Sequence, residues 1–461
     1  MPKLLLDLTA AKGLNSGFFP SADPSAGMPW KDGRNAWFKE LGVEKILGRV
    51  KQFSTIAGGP KAITQAFVEG EKRIYYEDGA NIYYWNGVDQ TAIDSLSPGG
   101  TYWLEPFGNF LLVTDGITQP RIWRNTGAFV PIGVGQFSRA KILKKLGEHV
   151  IAYSTDVYPA GMHWSDTSNP EQWDPAPEDS RANFLPFRDL DSEVMAVANL
   201  GATHAVYSRE AMQIVQFIGG DEVFGRPTQG LQGVGAVGTR SVVSLDRFNF
   251  GIGKGGVYQT DGTSVVYVDR PAVDSFLQES VDWSKGEEVV GYHDERLKMV
   301  VWSLPLAAGG TVNLGIDAAR NLGSADKQIT FIGDSFSAAA ERVVFDNPII
   351  GMPDGVYFAS VPGTKMPDIV LASHLYSPDP AFYTLWDFLL VGGTIPVGEV
   401  RFGFTDTPTM ASLEWTPWLP LTPRVPIPFR ESIYIAMELQ VLEDIRITSL
   451  KLYGETAGPV L

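Results

Sequence analysis

A short unit recurs along this chain: an apolar, aromatic-rich strand that ends in an acidic turn. It reads Tyr75-Tyr76-Glu77-Asp78-Gly79, then Val113-Thr114-Asp115-Gly116, then Tyr258-Gln259-Thr260-Asp261-Gly262. Asp-Gly between β-rich runs predicts a tight turn, because glycine reaches positive φ without steric cost. Strands gather around these units in sets. The first is Ile63–Val68, Arg73–Tyr76 and Asn81–Trp85; the second is Tyr102–Glu105, Phe110–Val113 and Arg121–Trp123. The third is Lys141–Leu146, His149–Tyr153 and Met162–Trp164; the fourth is Val194–Asn199, His204–Tyr207 and Met212–Phe217. The fifth runs Ser241–Asp246, Arg247–Gly251 and Gly256–Gln259, closing with Ser264–Val268, and the sixth Val289–His293, Lys298–Trp302 and Val312–Asp317. A weaker set spans Ile329–Ile332, Arg342–Phe345 and Gly355–Ala359. Sets repeating roughly every 40–50 residues predict an all-β fold, a β-propeller of about six or seven blades. A series of unrelated sandwiches is the alternative.

Three segments follow. Residues 1–60 are broken by Gly13, Gly17, Pro20, Pro24, Gly27 and Pro29 and read as an irregular N-terminal arm. Residues 61–362 carry the propeller. Residues 363–461, with apolar runs such as Phe388–Val391 and Ile433–Leu439, read as a small antiparallel β-sandwich or jelly roll. Helix is expected only as short turns at Ser275–Gln278 and Ala36–Leu41.

Charge narrows the function. With 53 acidic against 37 basic residues the formal net charge is -16, so the chain is not expected to grip nucleic acid by neutralising phosphates. An acidic wall beside DNA would instead repel it and let it slide; the plainer role of the acidity is solubility. There are no cysteines, which removes disulfides, thiolate metal sites and a Cys nucleophile. The start, Met1–Asp7, has too short an apolar run for a signal peptide, and no window suits a bilayer span.

Several motifs imitate chemistry. Gly233–Gly238 and Gly251–Gly256 both fit G-x-G-x-x-G, but β-rich runs follow them where a dinucleotide site needs a helix. Ile329–Ser337 resembles the Gly-Asp-Ser block of GDSL esterases, which would make Ser335 the nucleophile. The single later histidine, His374, lacks the Asp three residues before it that the family's base carries. His149, His163, His204, His293 and His374 form no i, i+4 pair, and Asp189–Glu193 lacks the glycine and distal Glu of a calcium loop. No catalytic, cofactor-binding or metal-binding residue is assigned, and the chain reads as a non-enzyme. Asp156–Phe187 is a long insertion whose Trp164 and Trp173 are expected in the core rather than on a partner.

One resemblance runs through the chain. Trp30-Lys31-Asp32-Gly33-Arg34-Asn35-Ala36-Trp37-Phe38, followed by Gly42-Val43-Glu44-Lys45-Ile46-Leu47-Gly48, resembles the opening of the tail nozzle, or packaged-DNA stabilisation (head-closure), proteins of short-tailed bacteriophages. His163–Trp173 is similar to a second block of that family, and Val242–Gly262 to one of its blades. Ala36-Trp37 departs from the more usual Val-Arg. The resemblance implies a propeller in the virion tail, made in the host cytoplasm and assembled as a homo-oligomeric ring, typically a hexamer. Its implied neighbours are portal, adaptor and tail-fibre or needle proteins, with genomic DNA passing through without sequence-specific binding. Asp221, Glu222, Phe224 and Arg226, in a Gly-rich loop, are candidate channel or gate residues, with Phe224 as plug. The alternative is a carbohydrate-binding or carbohydrate-cleaving propeller of the tail, which a carboxylate pair and a stacked Trp at the propeller mouth would favour.

Overall fold

The computed structural model describes residues 3–7, 30–39, 42–56, 59–97, 99–220, 222–226, 230–267, 276–318, 329–333, 335–364, 366, 369–373, 382–394, 397–407, 412–428, 431–441 and 446–459. The chain is a seven-bladed β-propeller carrying a β-sandwich. The inner strands of blades 1 to 7 are Ala62–Val68, Trp103–Phe107, Ala140–Leu146, Ala196–Leu200, Val242–Leu245, Val290–Asp294 and Ala338–Ala340. Each meets the next, and the seventh meets the first, so the ring is closed.

Packing gives the same count. Seven apolar clusters lie between successive blades, from Tyr75, Leu104 and Leu111 between blades 1 and 2 to Tyr76, Trp85 and Ile349 between blades 7 and 1. Central strands bury both faces: every residue of His149–Thr155 and of Met299–Pro305 is buried. Alternation therefore fails there, as expected of strands covered on both sides.

The acidic turns have a local cause. Asp78, Asp115 and Asp261 each accept backbone N–H groups two and three residues on, closing an Asx-turn. Gly79, Gly116 and Gly262 supply φ of 101°, 72° and 89°. The first two turns join second to third strands of their blades, whereas Asp261-Gly262 joins third to fourth. The recurrent unit is thus one local device used at both ends of the propeller.

Blade 7 corrects the weakest strand set. Ile329–Ile332 is the outer strand of blade 6, and residues 342–345 form no strand. Blade 7 is Ala338–Ala340, Ile349–Met352 and Gly355–Phe358, completed on its outer edge by Val50–Phe53 from the N-terminal segment. The described parts of residues 1–60 are accordingly strands rather than irregular arm. Trp30–Arg34 pairs antiparallel with Ile369–Ser373 and touches Ile329–Ile332 in parallel, stitching blade 6 to the sandwich. Ala36–Lys39 is a strand against Gly42–Lys45, not a helical turn; residues 276–280 are the helical turn expected near Ser275. The Asp156–Phe187 stretch is not structureless: it ends in Asn183–Pro186, the outer strand of blade 3.

The sandwich encloses Trp386, Leu389, Val391, Leu450 and Leu452 from one sheet against Val400, Phe402, Phe404, Met437 and Leu439 from the other. Its long strands are Phe382–Thr394 and Arg446–Pro459, paired antiparallel. On its outer side Arg401 lies between Trp415 and Trp418, 4.7 and 4.8 Å from their ring centres, and pairs with Glu438.

Candidate functional site

The inner strands surround a bore that is closed at one end. Arg240 precedes the inner strand of blade 5 and reaches across the axis to the blades opposite. Its guanidinium donates to the carbonyl oxygens of Lys61, before blade 1, and of Tyr102, before blade 2, the latter at 2.8 Å. A second tie crosses beside it: Glu287 accepts from the Thr239 N–H at 3.1 Å and pairs with Lys141 of blade 3 at 2.6 Å. Lys141 also lies 3.7 Å from Glu193.

Glu77 completes this end and breaks the blade pattern. It pairs with Ala62, the first residue of its inner strand, as Thr114 pairs with Trp103 and Thr155 with Ala140. Those threonines are short and neutral. Glu77 is longer and fully buried; one carboxylate oxygen accepts the Gly79 N–H, and the other has no hydrogen-bond partner among the described residues. Burial pushes its pKa to about 7, against the pull of the Gly79 N–H, Lys61 and Arg240. Burial likewise lowers Arg240 to about 10, with Glu77 and Glu287 opposing it, so the guanidinium stays charged at neutral pH.

The sign of the Glu77 contribution follows from linkage. A carboxyl whose folded pKa lies above its unfolded value binds more protons when folded between those values. Its stabilisation is therefore full below about pH 4.5 and is lost as pH rises through 7. Glu77→Gln is expected to equal the parent near pH 4.5 and to exceed it by roughly 2–3 kcal/mol at pH 8. Denaturant unfolding at the two pH values checks this; a difference that does not grow with pH overturns it. Buried His163 and His204, lowered to about 4 and about 3 by desolvation, act in the opposite direction and lose stability as pH falls below 6.5. They are common to both proteins and cancel in the comparison.

The other end is open. A cavity of about 550 Å³ runs down the axis, lined by Gln65, Trp103, Glu105, Lys144, Asn199 and Glu341 among others. A second, of about 490 Å³, shares Ser244 and Glu341 with it and forms the mouth, with Asp246, His293, Glu295, Lys298 and Arg342. Lys144 lies 5.5 Å from the Trp103 ring centre, and Glu105 accepts the Lys145 N–H at 3.0 Å. Glu341 is exposed at the open end, and the cavity around it raises its carboxyl above the usual value, with Lys144 opposing and Glu295 adding to the rise.

The gate residues named from sequence do not meet at this axis. Phe224 lies in Phe224–Gly225, which pairs with Gln216 and Phe217 three strands out from the bore. It is 4% exposed and set edge-on to Trp164 and His149 at 5.3 Å each, so it is a core residue and not a plug. Arg226 is 3.3 Å from Asp189, Glu222 is exposed, and Asp221 lies outside the described residues. Trp164 and Trp173 are core, their indole N–H groups held by the carbonyls of Arg181 and Pro170 at 2.7 Å.

The remaining motifs have structural explanations. A Cβ on Gly235 would stand 1.9 Å from the Arg209 carbonyl oxygen, and one on Gly251 would meet the Tyr258 ring, so both glycine runs serve close packing. Asp191 accepts from Ser208 and Glu210. Among the described residues no group of three His, Asp or Glu is placed to hold a metal, and no helix is long and apolar enough to cross a membrane. His374 and Asp334 of the esterase-like block lie outside the described residues. The axial charges Glu77, Arg240, Glu105, Lys144 and Glu341 escaped sequence reading. Glu77 carried a signal, since it stands where neighbouring blades use threonine.

No known family profile and no curated protein sequence matches this chain. Solved structures similar to this chain share little sequence with it. BBS1N in complex with ARL6DN shares 11% identity at a TM-score of 0.42, covering 69% of this chain and 99% of that one. The β-propeller domain of Myceliophteria thermophila Cps50 (Swd1) shares 8% at 0.42, over 68% and 99%. Kuenenia stuttgartiensis hydrazine synthase shares 10% at 0.43, over 67% and 97%.

Proposed function

We propose that this chain is a structural subunit of a short-tailed phage tail, a nozzle or head-closure protein whose ring retains packaged DNA and lets it pass on infection. The observation that carries the reading is the resemblance of residues 30–48, 163–173 and 242–262 to that family. What those residues do fits a shared architecture rather than a shared active site. Asn35, in the first block, takes a φ of 58° and is buried; its side chain accepts the Gly333 N–H at 2.9 Å and its carbonyl accepts the Ile46 N–H at 3.1 Å. It turns the chain from the blade 6 stitch into the sandwich hairpin. In the second block Asp166 accepts the N–H groups of Thr167 and Arg181, closing the loop around Trp164.

The bore is ligand-sized and shut by Arg240, so the DNA channel in this reading is enclosed between subunits and not within one propeller. The net charge of -16 suits a wall that DNA slides past. Electron microscopy of the protein mixed with portal and adaptor tests the reading. A ring, expected to be hexameric, with a central channel wide enough for duplex DNA is the predicted result. Single propellers in the presence of those partners would overturn it.

A second reading has a specific observation behind it. Glu105 and Glu341 line one cavity with Trp103, which is the arrangement a carbohydrate-active propeller would use. The Trp103 face is already occupied by Lys144. Binding of oligosaccharides on a glycan array would favour this reading.

A further inference from the structure

We infer that Asn86-Gly87 is a site of self-modification: the backbone nitrogen of Gly87 attacks the side-chain amide of Asn86, ammonia leaves, and water opens the cyclic imide to isoaspartate or aspartate. The pair is the chain's one Asn-Gly sequence. This inference is independent of the phage reading.

The turn joins the third and fourth strands of blade 1, as Asp261-Gly262 does in blade 5. The two turns share a geometry. Asn86 Oδ1 accepts the N–H groups of Val88 and Asp89 at 3.1 and 2.9 Å, and Asp261 accepts those of Thr263 and Ser264 at 2.9 and 2.8 Å. Gly87 has a φ of 102° and Gly262 one of 89°. Two differences make only the first turn reactive. Asn86 carries an uncharged amide with a leaving group, whereas an ionised carboxylate repels a nucleophile; desolvation notwithstanding, donors within the turn hold Asp261 down to about 2. The glycine N–H differs too. In the three recurrent Asp-Gly turns, Gly79, Gly116 and Gly262 donate to the side chains of Glu77, Thr114 and Thr260, two residues earlier. Trp85 stands in that place before Gly87 and offers no acceptor, and the Gly87 N–H donates to no group among the described residues.

The reaction balances with water alone. Solvent base removes the Gly87 N–H proton, and the freed electron pair forms the bond from nitrogen to Cγ. Negative charge moves to Oδ1, where two N–H donors already point. The bond from Cγ to the amide nitrogen then breaks, and ammonia carries that nitrogen away with a proton from water. Both residues are exposed, and no atom beyond the chain neighbours lies within 4 Å of where a Gly87 Cβ would stand, so base enters freely. Water adds to one imide carbonyl to give aspartate, the residue blade 5 uses here. Addition to the other gives isoaspartate, whose main chain is longer by a methylene. That product strains the hairpin beside Gln90, which donates to the Ser54 carbonyl at 2.9 Å and accepts the Tyr76 hydroxyl at 2.5 Å.

Peptide-mapping mass spectrometry of the folded full chain during incubation at pH 8 tests this, with isoaspartyl methyltransferase and a labelled methyl donor to count isoaspartate. Asn86 is expected to convert roughly tenfold faster or more than exposed Asn109, whose successor Phe110 brings a side chain against ring closure. Conversion should slow at pH 6, where less of the backbone nitrogen is deprotonated. Asn86→Gln keeps an amide but demands a larger ring, and should lose both the conversion and the methyl label. Conversion at Asn86 no faster than at Asn109, equal rates at the two pH values, or methyl labelling that persists in Asn86→Gln would overturn the inference.

Discussion

Arg240→Met is expected to destabilise the propeller by roughly 3–5 kcal/mol, about the cost of removing one partner of a buried charge network. The methionine fills much of the volume but donates nothing. The carbonyl oxygens of Lys61 and Tyr102 lose their donor, and Glu77 loses one of its two nearby cations. The effect extends beyond one blade because the guanidinium joins blade 5 to blades 1 and 2 across the axis, where adjacent-blade packing gives no substitute. A pH signature distinguishes this from a simple packing defect. Without Arg240 the Glu77 carboxyl is still harder to ionise, so the deficit should grow between pH 5.5 and pH 8. Adding Glu77→Gln should then recover more of the loss at pH 8 than at pH 5.5. Denaturant midpoints of the parent, both single variants and the double variant form the cycle that isolates the coupling. A deficit independent of pH, or no recovery in the double variant, would sink the claim that the two groups act as one cap.

How much of this was legible in the sequence differs by element. Blades 1 to 6 could be read because each is local: its strands follow one another, and Asp78, Asp115 and Asp261 mark turns by chemistry confined to four residues. The sandwich could be read from its apolar strand runs. Blade 7 could not, because its fourth strand is contributed from some 300 residues earlier in the chain: Val50 pairs with Phe358. Nothing within Val50–Phe53 announces that partner. The same separation hid the stitch from Trp30–Arg34 to Ile369–Ser373. Phe224 was misjudged because a phenylalanine beside glycines reads alike whether it plugs a channel or packs on a tryptophan; only the blade 3 to blade 4 contact decides. The bore was invisible because its charges come from different blades, with Glu105, Lys144 and Glu341 meeting only after the ring closes.

Reinforcement of the closed ring by Val50–Phe53 leads to the second large effect. Blade 7 already meets blade 1 through its inner strand and a shared apolar cluster, and a strand from the other end of the chain reinforces that closure. Here the strand completes blade 7 while Phe53 packs on Tyr76 and Trp85 of blade 1, at ring-centre distances of 5.6 and 4.9 Å. It therefore holds the edge of one blade and part of the interface to the next. Phe53→Ala should cost about 2–3 kcal/mol, below the range for a fully buried phenylalanine because this ring is half-buried. The converse test uses the absence of cysteine. Val50 and Phe358 are paired across the strands, so Val50→Cys with Phe358→Cys places one thiol pair in an otherwise thiol-free chain. Once oxidised, the bridge should raise stability by about 2–4 kcal/mol, reversibly with reductant. A Phe53→Ala variant as stable as the parent, together with a cysteine pair that does not oxidise within the monomer, would mean that this strand adds nothing to the closure made by the inner strands of blades 7 and 1.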